Sequence, residues 1–107
     1  MRVYLDDVRS APDGWVLVCT VGDAVALLLT GDVTEISLDN DLGDGYEEGY
    51  KVAEWIERAV FLFDFFPPNI YVHSSNPPAR ARIEACIRSI SKYADLKKGR
   101  GNDEVDD

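Results

Sequence analysis

Four short apolar runs, each halted by polar residues and alternating with segments of helical spacing, constrain this chain more than any other feature. Arg2 to Leu5 stops at Asp6-Asp7, and Trp15 to Cys19 stops at Thr20. Val33 to Leu38 stops at Asp39-Asn40-Asp41, and Asn69 to Val72 stops at His73-Ser74-Ser75. Runs this short read as strands. Strands interleaved with helices imply an α/β domain on a mostly parallel sheet. The expectation is a small three-layer fold with four to five strands.

The helical segments carry their own punctuation. Thr20 reads as an N-cap with Asp23 three residues on, Val21, Ala24, Val25, Leu28 and Leu29 form a buried stripe, and Gly31 ends the helix. Between about Tyr46 and Phe63 the stripe is Val52, Trp55, Ile56, Ala59, Val60 and Phe63, and Phe65-Phe66-Pro67-Pro68 breaks it. Asn76 can cap a last helix with Pro77 in first position; its stripe is Ala79, Ile83, Cys86, Ile87 and Ile90, with Arg80, Arg82, Arg88 and Lys92 outside it. The joint from Asp7 to Gly14 carries the turn signal Ala11-Pro12-Asp13-Gly14 and is short for a helical crossover.

At 107 residues the chain suits one domain, expected over residues 1–98, followed by an acidic, solvated and flexible tail at 99–107, GRGNDEVDD. A net charge of −9 opposes a general electrostatic grip on DNA or an anionic membrane. No segment reaches the roughly 20 apolar residues of a membrane helix, and no apolar leader precedes the first strand, so a cytoplasmic location is expected. Cys19 and Cys86 read as reduced core or near-core thiols. Trp15 and Trp55 read first as core, with base stacking as the second reading.

In an open α/β sheet, ligands bind outside the carboxyl ends of the strands. Asp6, Asp7, Asp39, Asn40, Asp41, His73 and Ser74 all follow expected strands, so parallel strands would gather them on one edge. Singly, each Asp reads first as a solvated turn residue. Together they form a hard-oxygen set suited to Mg²⁺ or Mn²⁺. His73, the one histidine, suits acid/base work or a structural hydrogen bond. Arg9 either pairs with the neighbouring acids or binds phosphate. Ser74, Asn76 and Arg80 stand at a helix N-terminus, which favours anions, although plain capping with surface arginines is the first reading there.

The stretches LDDVR, PDGW, SLDNDLG, GYKVAEWIE and VHSSNPPAR occur in that order from Val3 to about Ile90. They resemble the cyclic-phosphate processing receiver domain family, whose members read LDD-x-R, P-x-GW, SLDHDLG, TGYDV-x-W and HS-x-NP-x-GR. The resemblance implies a degenerate receiver or flavodoxin-like sheet acting on cyclic or terminal phosphates of nucleotides or RNA ends. Carried over by position, the implied catalytic residues are Asp39, Asp41 and His73, and the implied metal ligands are Asp6, Asp7 and Asp39. Substrate binding would fall to Arg9, Asn40, Ser74, Asn76 and Arg80. Asp39 occupies the place of a receiver's phosphorylated aspartate, while no Lys is clearly placed on a fifth strand, so phosphorelay signalling ranks lower. Asn40 stands where relatives usually carry His, Cys19 where they often carry Arg, and Ala79 where they carry Gly.

The leading expectation is therefore a metal-dependent, phosphodiesterase-like hydrolase or binder of cyclic phosphates. The alternative is a catalytically impaired receiver-like binding module, such as a phage-encoded acidic adaptor or inhibitor that binds a host protein.

Overall fold

The computed structural model describes the backbone of residues 1–106 and the side chains of residues 1–97. The order is β1 (Arg2–Leu5), β2 (Trp15–Val18), α1 (Val21–Leu28), β3 (Glu35–Leu38), α2 (Tyr50–Phe63), β4 (Asn69–Val72) and α3 (Pro77–Asp106). The four strands are all parallel, in the order β2-β1-β3-β4. This is the expected receiver-like α/β sheet. The expected tail at 99–107 lies outside the residues whose side chains are described.

The layering differs from expectation, and chain direction explains it. The crossovers through α1 and α2 both move the chain the same way across the sheet, from β2 to β3 and from β3 to β4. Right-handed crossovers moving the same way lie on the same face. Only the β1–β2 connection moves the other way, and it is the short loop ending at Gly14, with no helix. Among the described residues the fold has two layers rather than three: α1, α2 and α3 on one face, and an uncovered sheet face opposite.

Strand alternation assigns the faces. Val3, Leu5, Ile36 and Leu38 are fully buried against Leu28, Val52, Ile56, Val60 and Ile83. Each large apolar side chain so buried contributes about 1.5–3 kcal/mol. The other face carries Arg2, Tyr4, Trp15, Leu17, Glu35, Ser37 and Tyr71, with Leu17 and Tyr71 exposed. Trp15, expected in the core, is half-buried on this face, while Trp55 packs edge-on to Phe65 beside the core.

The caps form as expected at two helices. Thr20 Oγ1 accepts the Asp23 N–H at 3.1 Å, and Asn76 Oδ1 accepts the Ala79 N–H at 3.2 Å. Gly31 follows α1 with φ of 80°. Leu29, expected inside, lies past the last turn of α1 and is exposed; Leu27 packs inward instead. Phe63 is exposed because α2 ends there, and the left-handed turn at Asp64 returns Phe65 to the core. Both cysteines are free; Cys86 is buried, whereas Cys19 is exposed just beyond the edge strand β2. No helix among the described residues is long and apolar enough to cross a membrane.

Candidate functional site

The sheet ladder continues one residue past the strands. Asp6 N–H donates to Val18 O, Asp39 N–H to Leu5 O, and His73 N–H to Leu38 O, each at 3.0 Å. This aligns Asp6, Asp39 and His73 as one row at the carboxyl edge. Two-residue alternation then puts that row on the uncovered face, since Asp6 follows Tyr4, Asp39 follows Ser37, and His73 follows Tyr71 by two. The expected convergence at the strand ends is real, and its side of the sheet is the one without helices.

Asp6 is buried and hydrogen-bonded through both of its oxygens. Its Oδ1 accepts the Val8 and Arg9 N–H groups at 2.9 Å each, and its Oδ2 lies 3.1 Å from His73 Nε2. Burial pushes the carboxyl up, but the Arg9 and Val8 N–H groups and His73 outweigh it and hold Asp6 below the usual carboxylate range. An ionised carboxylate only accepts, so Nε2 carries the proton in that contact. The His73 ring is also fixed by Ser37 Oγ at 2.7 Å from Nδ1 and by the Tyr4 ring stacked at 4.1 Å.

Asp39 behaves oppositely. Burial and the Asp6 charge raise its carboxyl above the usual range, against the Asn40 N–H, His73 and Arg9. Its Oδ1 accepts the Asn40 N–H at 2.8 Å. Among the described residues, Asp6, Asp39 and His73 form a group whose ligand atoms lie within 4.8 Å of one another. With the His73 Nε2 proton facing Asp6, the carboxylates of Asp6 and Asp39 are the groups that could hold a hard cation such as Mn²⁺ or Mg²⁺.

The remaining candidates spread around this row. Arg9 reaches the His73 carbonyl at 3.3 Å and is exposed, which leaves guanidinium donors beside the acids. Asp7 is exposed with a carboxylate oxygen directed towards Gly43, and it lies outside the Asp6–Asp39–His73 group. Asp41 is exposed and accepts from Asn40 Nδ2 at 3.3 Å. Ser74 Oγ accepts the Asn76 N–H at 3.1 Å, and Asn76 caps α3. Arg80 pairs with Glu84 at 3.0 Å and points a second nitrogen at Ser74 O, 3.5 Å away.

Asn40 faces the helical side. It is buried, its Oδ1 accepts the Tyr50 N–H at 3.0 Å, and its backbone carbonyl accepts the Gly49 N–H at 2.8 Å. Its Nδ2 is shared between Asp41 and Glu48. Asn40 thus ties β3 to the start of α2, and its side chain also lines a cleft of about 170 Å³ with Tyr50, Asn76 and Arg82.

Ser37 and Tyr4 hold His73, and neither stood out as a site residue in the sequence. The signal for Ser37 is a hydroxyl set between Ile36 and Leu38 inside a strand.

A protein-family model, described as the cyclic-phosphate processing receiver domain, matches residues 1–89. The chain belongs to that family. No curated protein and no solved structure matches it. The row of Asp6, Asp39 and His73 is therefore the carboxyl edge of a cyclic-phosphate processing receiver domain whose sheet, among the described residues, has four strands. No fifth strand is present there to carry a receiver's lysine.

Asp6 is expected to contribute to the acid sensitivity of this receiver domain. Its folded pKa lies below the unfolded value near 3.8, so its contribution is complete above that value and disappears as pH falls through the folded pKa. Asp6→Asn is expected to lower stability by about 2 kcal/mol at neutral pH and to flatten the acid limb. Denaturant melts of both proteins between pH 2 and pH 7 measure this.

Proposed function

We propose that this receiver domain opens cyclic phosphates of nucleotides or RNA ends at the Asp6–Asp39–His73 row. The clustering of these three groups within 4.8 Å on the uncovered edge carries the proposal. Asp6 and Asp39 would hold a divalent cation, Mn²⁺ or Mg²⁺. When bound, the ion would supply Lewis-acid stabilisation of charge building on the phosphate oxygens.

The chain's own groups account for the rest. Arg9, tethered to the His73 carbonyl, extends donors towards a phosphate beside the acids. His73, steadied by Ser37 and Tyr4, presents Nε2–H to the departing ribose oxygen once the bond to Asp6 is exchanged. Water adds to phosphorus as Asp39 takes one of its protons, the ring P–O bond breaks, that oxygen leaves with the His73 Nε2 proton, and the proton on Asp39 passes back to the imidazole. The product is a phosphate monoester.

Asn40 bears on the alternative of an impaired binding module. Because its side chain is engaged with the start of α2, replacement of the relatives' His at this position leaves the Asp6–Asp39–His73 row intact. Cys19 keeps the alternative alive: it follows Val18, the register partner of Leu5, at the edge position beside Asp6 where relatives often carry Arg. An adaptor would bind nucleotide or a host protein without turnover.

Hydrolysis of 2′,3′-cyclic and 3′,5′-cyclic nucleotides and of cyclic-phosphate-ended RNA, with Mn²⁺ or Mg²⁺, tests the proposal. Monoester formation is expected, with Cys19→Arg raising kcat/KM several-fold, about what one added charge contact gives. Absence of turnover, with Asp39→Ala and His73→Ala binding ligand as the wild type does, overturns it.

A further inference from the structure

The uncovered sheet face leads directly away from the proposed phosphate row. A cleft of about 440 Å³ lies on it, lined by Arg2, Tyr4, Trp15, Glu35, Ser37 and Tyr71. Its size falls within the range of about 300–1,000 Å³ typical of small-molecule sites. Trp15 stands edge-on to Tyr4 at 6.1 Å and to Tyr71 at 6.5 Å, so three rings frame the cleft without filling it. Two of its residues are those that hold His73: Tyr4 by stacking and Ser37 by hydrogen bond.

We infer that this cleft seats the nucleobase of the nucleotide whose phosphate lies at Asp6, Asp39 and His73. The inference rests on the proposed function for the phosphate and adds the other half of the ligand. Ring faces on an open sheet stack a base of any identity. On the rim Glu35 is paired with Arg2 at 2.9 Å and accepts the Tyr71 hydroxyl at 3.0 Å, and the remaining Arg2 guanidinium N–H groups offer donors to base edges. The nearer cleft row, Tyr4, Ser37 and Tyr71, lies two residues from the acid row along the strands, about 6.6 Å, the span of one ribose, and Arg2, Trp15 and Glu35 lie two residues further on. The net charge of −9 disfavours a long polyanion, so the occupant is one base rather than an extended strand. The base belongs to a free nucleotide or to the last nucleotide of an RNA.

Probes stable to the proposed hydrolysis separate the two halves of the ligand: adenosine, adenosine 3′-monophosphate, and methyl riboside 3-phosphate, which has no base. Binding is read from Trp15 fluorescence in a Trp55→Phe background and by calorimetry. The base-bearing monophosphate is expected to bind at least about fivefold more tightly than the base-free one. Tyr71→Ala, at an exposed position, is expected to remove that difference and leave the base-free probe unchanged. Equal binding of the two phosphates by the wild type, or a Tyr71→Ala protein that keeps the preference, overturns the inference. If the phosphate proposal alone is wrong, the base-free probe does not bind, whereas adenosine still quenches Trp15 and loses binding in Tyr71→Ala. An oligoribonucleotide ending in a 3′-phosphate identifies the source: tighter binding than the mononucleotide assigns an RNA end, and equal or weaker binding assigns a free nucleotide.

Discussion

Gly49→Ala is expected to destabilise the domain by about 3 kcal/mol or more, lowering Tm by well over ten degrees in a chain of this size. Backbone conformation alone predicts little cost, because Gly49 caps the start of α2 with φ of −61°, which Ala adopts freely. Space decides instead. A Cβ at Gly49 would overlap the Asp39 carbonyl oxygen and lie 2.8 Å from its carbon and 3.0 Å from Asn40 Cα. These are backbone atoms, so no side-chain rotation relieves the clash. Relief would require α2 to move off the end of β3, breaking the Gly49–Asn40 and Tyr50–Asn40 hydrogen bonds and displacing Asp39. Thermal melts measure the loss. A Gly49→Ala protein as stable as the wild type would show that the two segments do not approach this closely.

Asp39→Asn is expected to act in opposite directions on stability and on turnover. The folded pKa of Asp39 is raised, so the unfolded chain releases its proton first as pH rises. Stability contributed by this group therefore falls as pH climbs from the unfolded value through the folded one, and the full penalty is present at pH 7. Removing the charge while keeping the shape should stabilise the protein by up to about 1 kcal/mol at neutral pH. Below pH 3.8, where the carboxyl is protonated in both states, the advantage should vanish. The same substitution is expected to cut cyclic-phosphate turnover by about a hundredfold or more, because it removes a charge that would face the cation and phosphate. Tm against pH for the two proteins, together with kcat/KM, measures both effects. A variant that is less stable at pH 7, with turnover unchanged, would make Asp39 a structural carboxylate.

The pairing of Asp6 and Asp39 explains why one row contains both a stabilising and a destabilising acid. Asp6 is ringed by N–H donors from its own loop and by His73, so burial is compensated. Asp39 receives one backbone donor and lies in the field of Asp6, so burial is not compensated. Local backbone direction separates them, and both are the same residue type at the same kind of strand end.

Much of this was fixed by residue order. Halted apolar runs determined four parallel strands, the caps at Thr20 and Asn76 set two helix starts, and the ends of β1, β3 and β4 brought Asp6, Asp39 and His73 to one edge. Period-two alternation is local physics, so these features are legible without coordinates. Tertiary structure decided the rest. The start of α2 moved from about Tyr46 to Tyr50 because its capping acceptor is Asn40, ten residues away. Asn40 itself passed from the substrate side to the helical side because residues 39 and 40 point to opposite faces. Trp15 left the core because both helical crossovers run the same way across the sheet, which leaves its face bare. Strand order and crossover direction are properties of the assembled sheet, and no local spacing encodes which face the helices will cover.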